Sequence, residues 1–279
     1  MRFDQKYIQS LPRPLVRGLR NIYLTMLDIS DRVRGRTDDL TPPRALHFIG
    51  GGDFHLIGKT FLRHFVEVCN LRTNESILDI GCGTGRMAIP MLDFLNSSGS
   101  YVGFDISEKA IRWCQDQITA RNPRFSFYFA DIHNNEYNPQ GQLAAADYRF
   151  PCDTAAIDFV FATSVFTHMK LPEVRHYLSE IRRVLSPNGR AFLNFFILDG
   201  TNHALVRDGK ASISFSVALE NCYTIDPHTP ERAIAYTEEV VLEEFSNVGL
   251  KIRHPIRYGS WSGRESMLDA QDVIIAAHA

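Results

Sequence analysis

Read as a pattern of apolar and polar positions, the chain divides near residue 75. Ahead of that point, residues 1–43 place Leu15, Leu19, Ile22, Tyr23 and Met26 at helical spacing and stop at Thr41-Pro42-Pro43, where paired prolines end a helix. A second amphipathic helix is predicted near Leu56 to Cys69, with Phe61, Leu62, Phe65 and Val66 on one face. From Glu75 onward short apolar runs alternate with helical stretches. Strands are predicted at Ser76–Ile80, Tyr101–Asp105, Phe125–Phe129, Ile157–Ala162 and Ala191–Phe196. Helices fall near Arg86–Leu95, Glu108–Arg121 and Pro172–Leu185, with Ser186-Pro187-Asn188-Gly189 turning into the fifth strand. The tail adds a helix near Thr237–Val248 and strands near Lys251–Tyr258 and Val273–Ala277.

Such alternation predicts an α/β fold, a mostly parallel sheet with right-handed crossovers and helices on both faces. Residues 1–74 read as an N-terminal helical extension and lid, and 75–279 as the main domain. Two insertions break the rhythm, near 134–150 and 199–232, the second a cap after the fifth strand. Loops of this length inside a compact domain usually serve a site. In open parallel sheets ligands bind beyond the carboxyl ends of the strands, and both insertions adjoin that edge.

Composition narrows the class. A formal net charge of -2 over 279 residues gives no long-range attraction to nucleic acid. Arginines near the start alternate with Asp28, Asp31, Asp38 and Asp39, the mark of a solvated helical face. Five scattered cysteines lack the close spacing of a zinc site or redox pair. With no export signal and no apolar run of membrane-spanning length, the expectation is a reduced, cytoplasmic protein without a membrane span.

The candidate chemistry sits at the strand tips. Ile77-Leu78-Asp79-Ile80-Gly81-Cys82-Gly83-Thr84-Gly85-Arg86 is a buried strand ending in a glycine-rich turn that opens a helix. Glycines there allow positive φ and let a ligand lie against bare backbone. A second strand ends at Asp105, 20 residues after Gly85, placed to accept hydrogen bonds from ribose hydroxyls. Asp105 or Ser107 could equally cap the next helix. A third strand ends in Phe129-Ala130-Asp131-Ile132, where a carboxylate could meet an adenine amino group with an apolar residue on the base.

Taken together, DIGCGTGR, VGFDIS, FADI and DFVFATSVFTHM resemble the successive motifs of class I, Rossmann-like S-adenosylmethionine-dependent methyltransferases, over roughly Glu75 to Phe196. The resemblance implies a sheet of seven strands, the last antiparallel and inserted beside the fifth. It implies S-adenosyl-L-methionine as cofactor, held by a turn of Gly81, Cys82, Gly83 and Gly85. Asp79 would organise that turn and the methionine ammonium, Asp105 the ribose, Ile106 and Ile132 the adenine faces, and Asp131 the adenine amino group. The carbonyl of Thr163 or Ser164 would meet the ammonium or face the acceptor. The GGGDF segment, Tyr137-Asn138-Pro139-Gln140-Gly141, SVFTHM and Trp261-Ser262-Gly263-Arg264 look like a bacterial subgroup that modifies small molecules or sugars.

A nicotinamide-dependent oxidoreductase is the rival enzyme. Its fingerprint needs a third glycine three residues after the second, and from Gly83 that position is Arg86. A non-catalytic cofactor-binding partner or sensor is the rival of another class. For the enzyme reading, the acceptor is expected to be a small molecule or glycan, methylated at a hydroxyl oxygen. His168, just past the fourth strand, is then the candidate base, against a plain structural histidine bonded to backbone. Asn202, His203, Tyr223, His228 and Tyr236 are further acceptor-side candidates from the cap, and Trp261 and Arg264 either fold over the site or close the last turn. His203 and His228 have no metal-ligand spacing, so no metal is expected. Gly50-Gly51-Gly52 with Asp53 and Phe54 reads as the hinge of a lid, with Phe54 shielding the cofactor. The oligomeric state leaves no mark in the sequence.

Overall fold

The computed structural model describes residues 13–35, 37–46, 52–135, 137–265 and 267–279, with side chains from Ile22 onward. Of the predicted hinge, Gly50 and Gly51 lie outside the described residues. In chain order the strands are β1 (Ser76–Ile80), β2 (Ser100–Asp105), β3 (Phe125–Phe129), β4 (Ile157–Ala162), β5 (Leu185–Phe195), β6 (Ile197–Leu198), β7 (Val217–Ala218), β8 (Tyr223–Thr224), β9 (Ile234–Thr237), β10 (Leu250–Ile252) and β11 (Asp272–His278). The helices are α1 (Arg13–Val33), α2 (Phe54–Cys69), α3 (Ala88–Phe94), α4 (Glu108–Cys114), α5 (Leu171–Val184), α6 (Gly200–Arg207) and α7 (Glu238–Asn247).

Seven strands form the main sheet in the order β10-β11-β5-β4-β1-β2-β3. All are parallel except β11, which runs antiparallel between β10 and β5. The seven-stranded, mostly parallel architecture expected from the sequence is therefore present. Strand order reverses between β1 and β4, so the crevice beyond their carboxyl ends is the topological switch point at which such sheets bind ligands.

Alternation along each strand divides the core between the two faces. Leu78, Ile80, Phe104, Val160, Ala162 and Leu193 pack with α5 and α7. Ile77, Tyr101, Phe159, Phe161, Phe192 and Ile275 pack with α2, α3 and α4. Helix α2 starts where the Asp53 side chain accepts from the Leu56 N–H (2.8 Å) and ends at Asn70 with a left-handed φ of 54°. It buries Phe65 completely among the rings of Phe159, Phe161 and Phe192. Although it precedes residue 75, α2 is one of the helices covering the sheet.

The cap has its own small sheet, ordered β6-β9-β8-β7. Phe196, Leu198, Phe215, Ala233, Ala235 and Trp261 form a satellite core beneath it.

Some predicted boundaries move for identifiable reasons. Strand β5 starts at Leu185, and Ser186 to Gly189 form an irregularity in its pairing, which jumps from Ile157↔Leu185 to Phe159↔Arg190. The predicted strand Lys251–Tyr258 shortens to β10, because Pro255 has no N–H for a ladder. Strand β9 precedes α7 unannounced. In α1 the polar side is the one tied down: Arg44 pairs with Asp28 (2.8 Å) and Asp31 (2.5 Å), while Ile22, Tyr23 and Met26 are exposed.

Phe65→Ala empties a ring-sized space between α2 and the sheet and costs about 3–5 kcal/mol of stability. The measurement is the denaturant midpoint, which falls while the dependence on denaturant keeps its slope.

Candidate active site

The turn after β1 takes its shape from two glycines. Gly81 has φ 75°, and a Cβ there would lie 2.5 Å from Val165 Cγ2. Gly83 has φ 51° with nothing within 4 Å of a Cβ position, so the backbone presents an open face. The Asp105 carboxylate braces this turn from the tip of β2, accepting from the Gly83 N–H (2.8 Å) and the Ser107 N–H (2.7 Å). Burial pushes the Asp105 carboxyl above its ordinary value, opposed by the N–H groups of Ser107, Gly83 and Ile106. Helix capping falls instead to Ser107, whose side chain accepts from the Ala110 N–H.

Asp79 lies under the turn, 1% exposed. Its Oδ2 accepts from the Tyr101 hydroxyl, and its Oδ1 has no hydrogen-bond partner. Burial drives its pKa up to about 8, against the Tyr101 bond that lowers it. Asp79 lines a cavity, and its unpartnered buried oxygen calls for a polar or cationic partner.

That cavity has a volume of about 580 Å³. Of the residues singled out in the sequence, Asp79, Gly81, Cys82, Gly83, Asp105, Ile106, Ile132, Thr163, Ser164 and His168 line it. Three others do not. Gly85 packs inward against Cys114 and Ile118. Asp131 turns to the first insertion, where Asn138 Nδ2 donates to its Oδ1 (3.3 Å) and Gln142 and Leu143 donate to its carbonyl. Phe54 lies beneath the Arg86 guanidinium, 5.5 Å from the ring centre, and packs on the α2 side of the core.

Lining residues missed in the sequence include Phe61 on α2 and Asn134, Tyr137, Glu173 and Tyr177. Tyr137 was in plain view within a quoted motif; the others become neighbours only through the fold. Ser164, in the turn after β4, takes a positive φ of 57° and donates to Gln271 Oε1 (3.1 Å). A left-handed serine at a strand tip is strained backbone held at the site. Half-buried Glu173 has its carboxyl pushed up by desolvation, against the Lys170 N–H that lowers it.

His168 lies beside Tyr137, ring edge to face at 5.7 Å, and its Nδ1 is 2.8 Å from the Glu231 carbonyl oxygen. A carbonyl only accepts, so Nδ1 carries a proton. The cap candidates have other duties. Tyr236 is buried and donates to the Met169 carbonyl (2.6 Å), and Asn202 donates to Ile197 O (2.7 Å). His203 packs on Tyr223, and His228 is exposed. Trp261 donates to Asp272 (2.9 Å) inside the satellite core, while Arg264 pairs with Asp199 (2.5 Å), so both close the last turn. Among the described residues no cluster of three histidine, cysteine, aspartate or glutamate side chains could hold a metal ion. Likewise, no described helix is long and apolar enough to cross a membrane.

The glycine turn and the acid-tipped parallel strands meet at a crevice at the switch point of an α/β sheet. Residues 77–189 match the family model described as "Methyltransferase domain". Over these residues the chain is therefore similar to methyltransferase domains. A 27-O-demethylrifamycin SV methyltransferase of Amycolatopsis mediterranei is 32% identical over 131 residues, 46% of this chain and 41% of that protein. A demethylmenaquinone methyltransferase of Symbiobacterium thermophilum is 29% identical over 128 residues, 46% of this chain and 45% of that one. The match thus spans less than half the length of either relative. The PH0226 protein from Pyrococcus horikoshii OT3 shares the fold at 18% identity, with a TM-score of 0.56 over 82% of this chain and 93% of that one.

Because the Asp79 pKa is raised in the folded chain, its neutral form favours folding at low pH. That contribution is lost as pH rises from about 4 through about 8. Asp79→Asn removes this loss, so the variant without ligand melts higher than wild type at pH 8.5 and equally at pH 4, gaining about 2–4 °C per kcal/mol relieved. Thermal melts across this range provide the check.

Proposed function

We propose that the chain transfers a methyl group from S-adenosylmethionine to a hydroxyl oxygen of a small-molecule acceptor. One observation carries the reading: a single cavity joins the glycine turn to His168, Tyr137 and Asn134. Two features favour this cofactor, the orphaned Asp79 oxygen and the bare backbone at Gly83. When bound, the cofactor supplies an electrophilic methyl group on sulfur. Asp79, ionised, accepts from the cofactor's ammonium, and Asp105 offers its remaining lone pairs to the ribose hydroxyls. Ile106 and Ile132 flank the adenine. Thr163 and Ser164 line the wall between the two halves.

His168 Nε2 takes the proton as the acceptor oxygen forms its bond to the methyl carbon and the carbon–sulfur bond breaks. Alignment and exclusion of water supply most of the remaining rate. Ala145, Met169 and the rings of Tyr137 and Tyr177 give the acceptor a mainly apolar wall, which suits a hydroxyl on an apolar or aromatic frame better than a glycan. The two relatives named for 27-O-demethylrifamycin SV and demethylmenaquinone support a small-molecule acceptor, and the first name supports oxygen as the atom methylated.

With labelled S-adenosylmethionine, label is expected on phenolic or other hydroxylated small molecules in preference to saccharides, read by mass spectrometry. Cofactor binding without transfer to any member of such a panel overturns the enzymatic reading in favour of a sensor. His168→Ala lowers turnover about 10²–10⁴-fold and leaves S-adenosylhomocysteine affinity unchanged; normal turnover removes it as the base. Calorimetry on Asp105→Ala shows lost S-adenosylhomocysteine binding in a folded chain. Wild-type affinity strengthens between pH 6 and 8 as Asp79 ionises, and Asp79→Asn abolishes that rise.

A further inference from the structure

The two insertions meet at one residue. Glu231 belongs to the cap, in the turn Pro230–Arg232, and its side chain is 8% exposed. Its carboxylate accepts from Lys170 Nζ (2.9 Å), just ahead of α5, and from Asn135 Nδ2 (3.2 Å) in the first insertion. Its carbonyl faces His168 Nδ1 at 2.8 Å. Thus one cap residue touches the first insertion and the segment after β4, next to His168 of the cavity lining.

The surroundings keep that carbonyl in place. Thr224 is fully buried, with its Oγ1 3.1 Å from the Pro230 carbonyl and 3.0 Å from the Ala233 carbonyl, one on either side of Glu231. Opposite, the Tyr236 hydroxyl donates to the Met169 carbonyl next to His168 (2.6 Å). The turn Phe166–His168 and the turn Pro230–Arg232 are therefore clasped from both sides. Burial raises the Glu231 carboxyl, yet Lys170 and Asn135 outweigh it and hold the group below its ordinary value, hence ionised. An ionised, nearly buried carboxylate with two donors resists displacement, since leaving either donor strands a charge away from water.

We infer that Glu231 is a positioning residue: its carboxylate locks the two insertions together so that its carbonyl fixes the Nδ1–H tautomer of His168. The charge of Glu231 anchors the backbone and the backbone selects the tautomer, a division of labour that no substitution of His168 itself would expose. The inference deepens the proposed reaction by rooting the assignment of His168 as base in the cap.

The test is the tautomer itself, read from nitrogen chemical shifts of the His168 ring in the full-length chain with S-adenosylhomocysteine present and no acceptor. Wild type should show Nδ1 protonated. Glu231→Ala should lower the ratio of the Nδ1–H to the Nε2–H form about two- to tenfold, the worth of one net hydrogen bond. Glu231→Gln keeps the shape but not the charge and should lower the ratio too, by less than Glu231→Ala. Lys170→Met removes the cationic partner from a half-exposed site and should move the ratio the same way, which covers the case in which Glu231→Ala fails to fold. A variant that melts lower but keeps the wild-type tautomer reduces Glu231 to a structural residue. Finding Nε2–H in wild type overturns the inference outright. Because no acceptor is needed, failure of the base assignment shows separately, as normal turnover in His168→Ala.

Discussion

The site depends on the carboxylate of Asp105, which accepts from one N–H in the turn after β1 and another at the start of α4. Charge-assisted bonds to backbone are short and directional, and these two join the tips of neighbouring parallel strands. With Gly83 held this way, its bare face stays toward the cavity and Asp79 stays beneath it, buried with one oxygen unmatched. The turn is thus organised before any ligand arrives, at the cost of keeping two carboxylates in poorly hydrated surroundings. Stability stored elsewhere, in the aromatic packing of α2 on the sheet, offsets that cost.

Much of this was legible in the sequence because the physics is local. Strands β1 to β4 are buried runs bounded by turns, and their tips carry glycine and carboxylate where backbone geometry and ligand chemistry require them. Gly81, Gly83 and Asp105 were readable from the residues themselves, while Asp79 and the antiparallel β11 followed from the family resemblance. What stayed hidden depends on contacts distant in sequence. Strands of two residues, such as β6, β7 and β8, have no period to detect. Phe61 gives no sign that its helix reaches the crevice, and nothing near Glu231 signals His168, 63 residues away. Asp131 and Gly85 were read by analogy as cofactor contacts; here one carboxylate anchors an insertion and one glycine admits two side chains of the α4 region.

The cap is more than a long loop. Its four short strands and small aromatic core make it a folded unit, joined to the sheet by Asp272, which accepts from Trp261 and from the N–H groups of Ile197 and Gly259. Rigidity of this kind lets a peripheral element place an atom beside the crevice with the accuracy of a strand.

The partition of the cavity has an evolutionary corollary. One end is made by strand tips that cannot change without unseating the sheet, while Asn134, Tyr137 and Ala145 of its lining come from a segment spliced between β3 and β4. Such a chain can trade one wall for another and acquire a new acceptor while its donor machinery stays intact. Retargeting by exchange of insertions asks less of this architecture than redesign of the crevice itself.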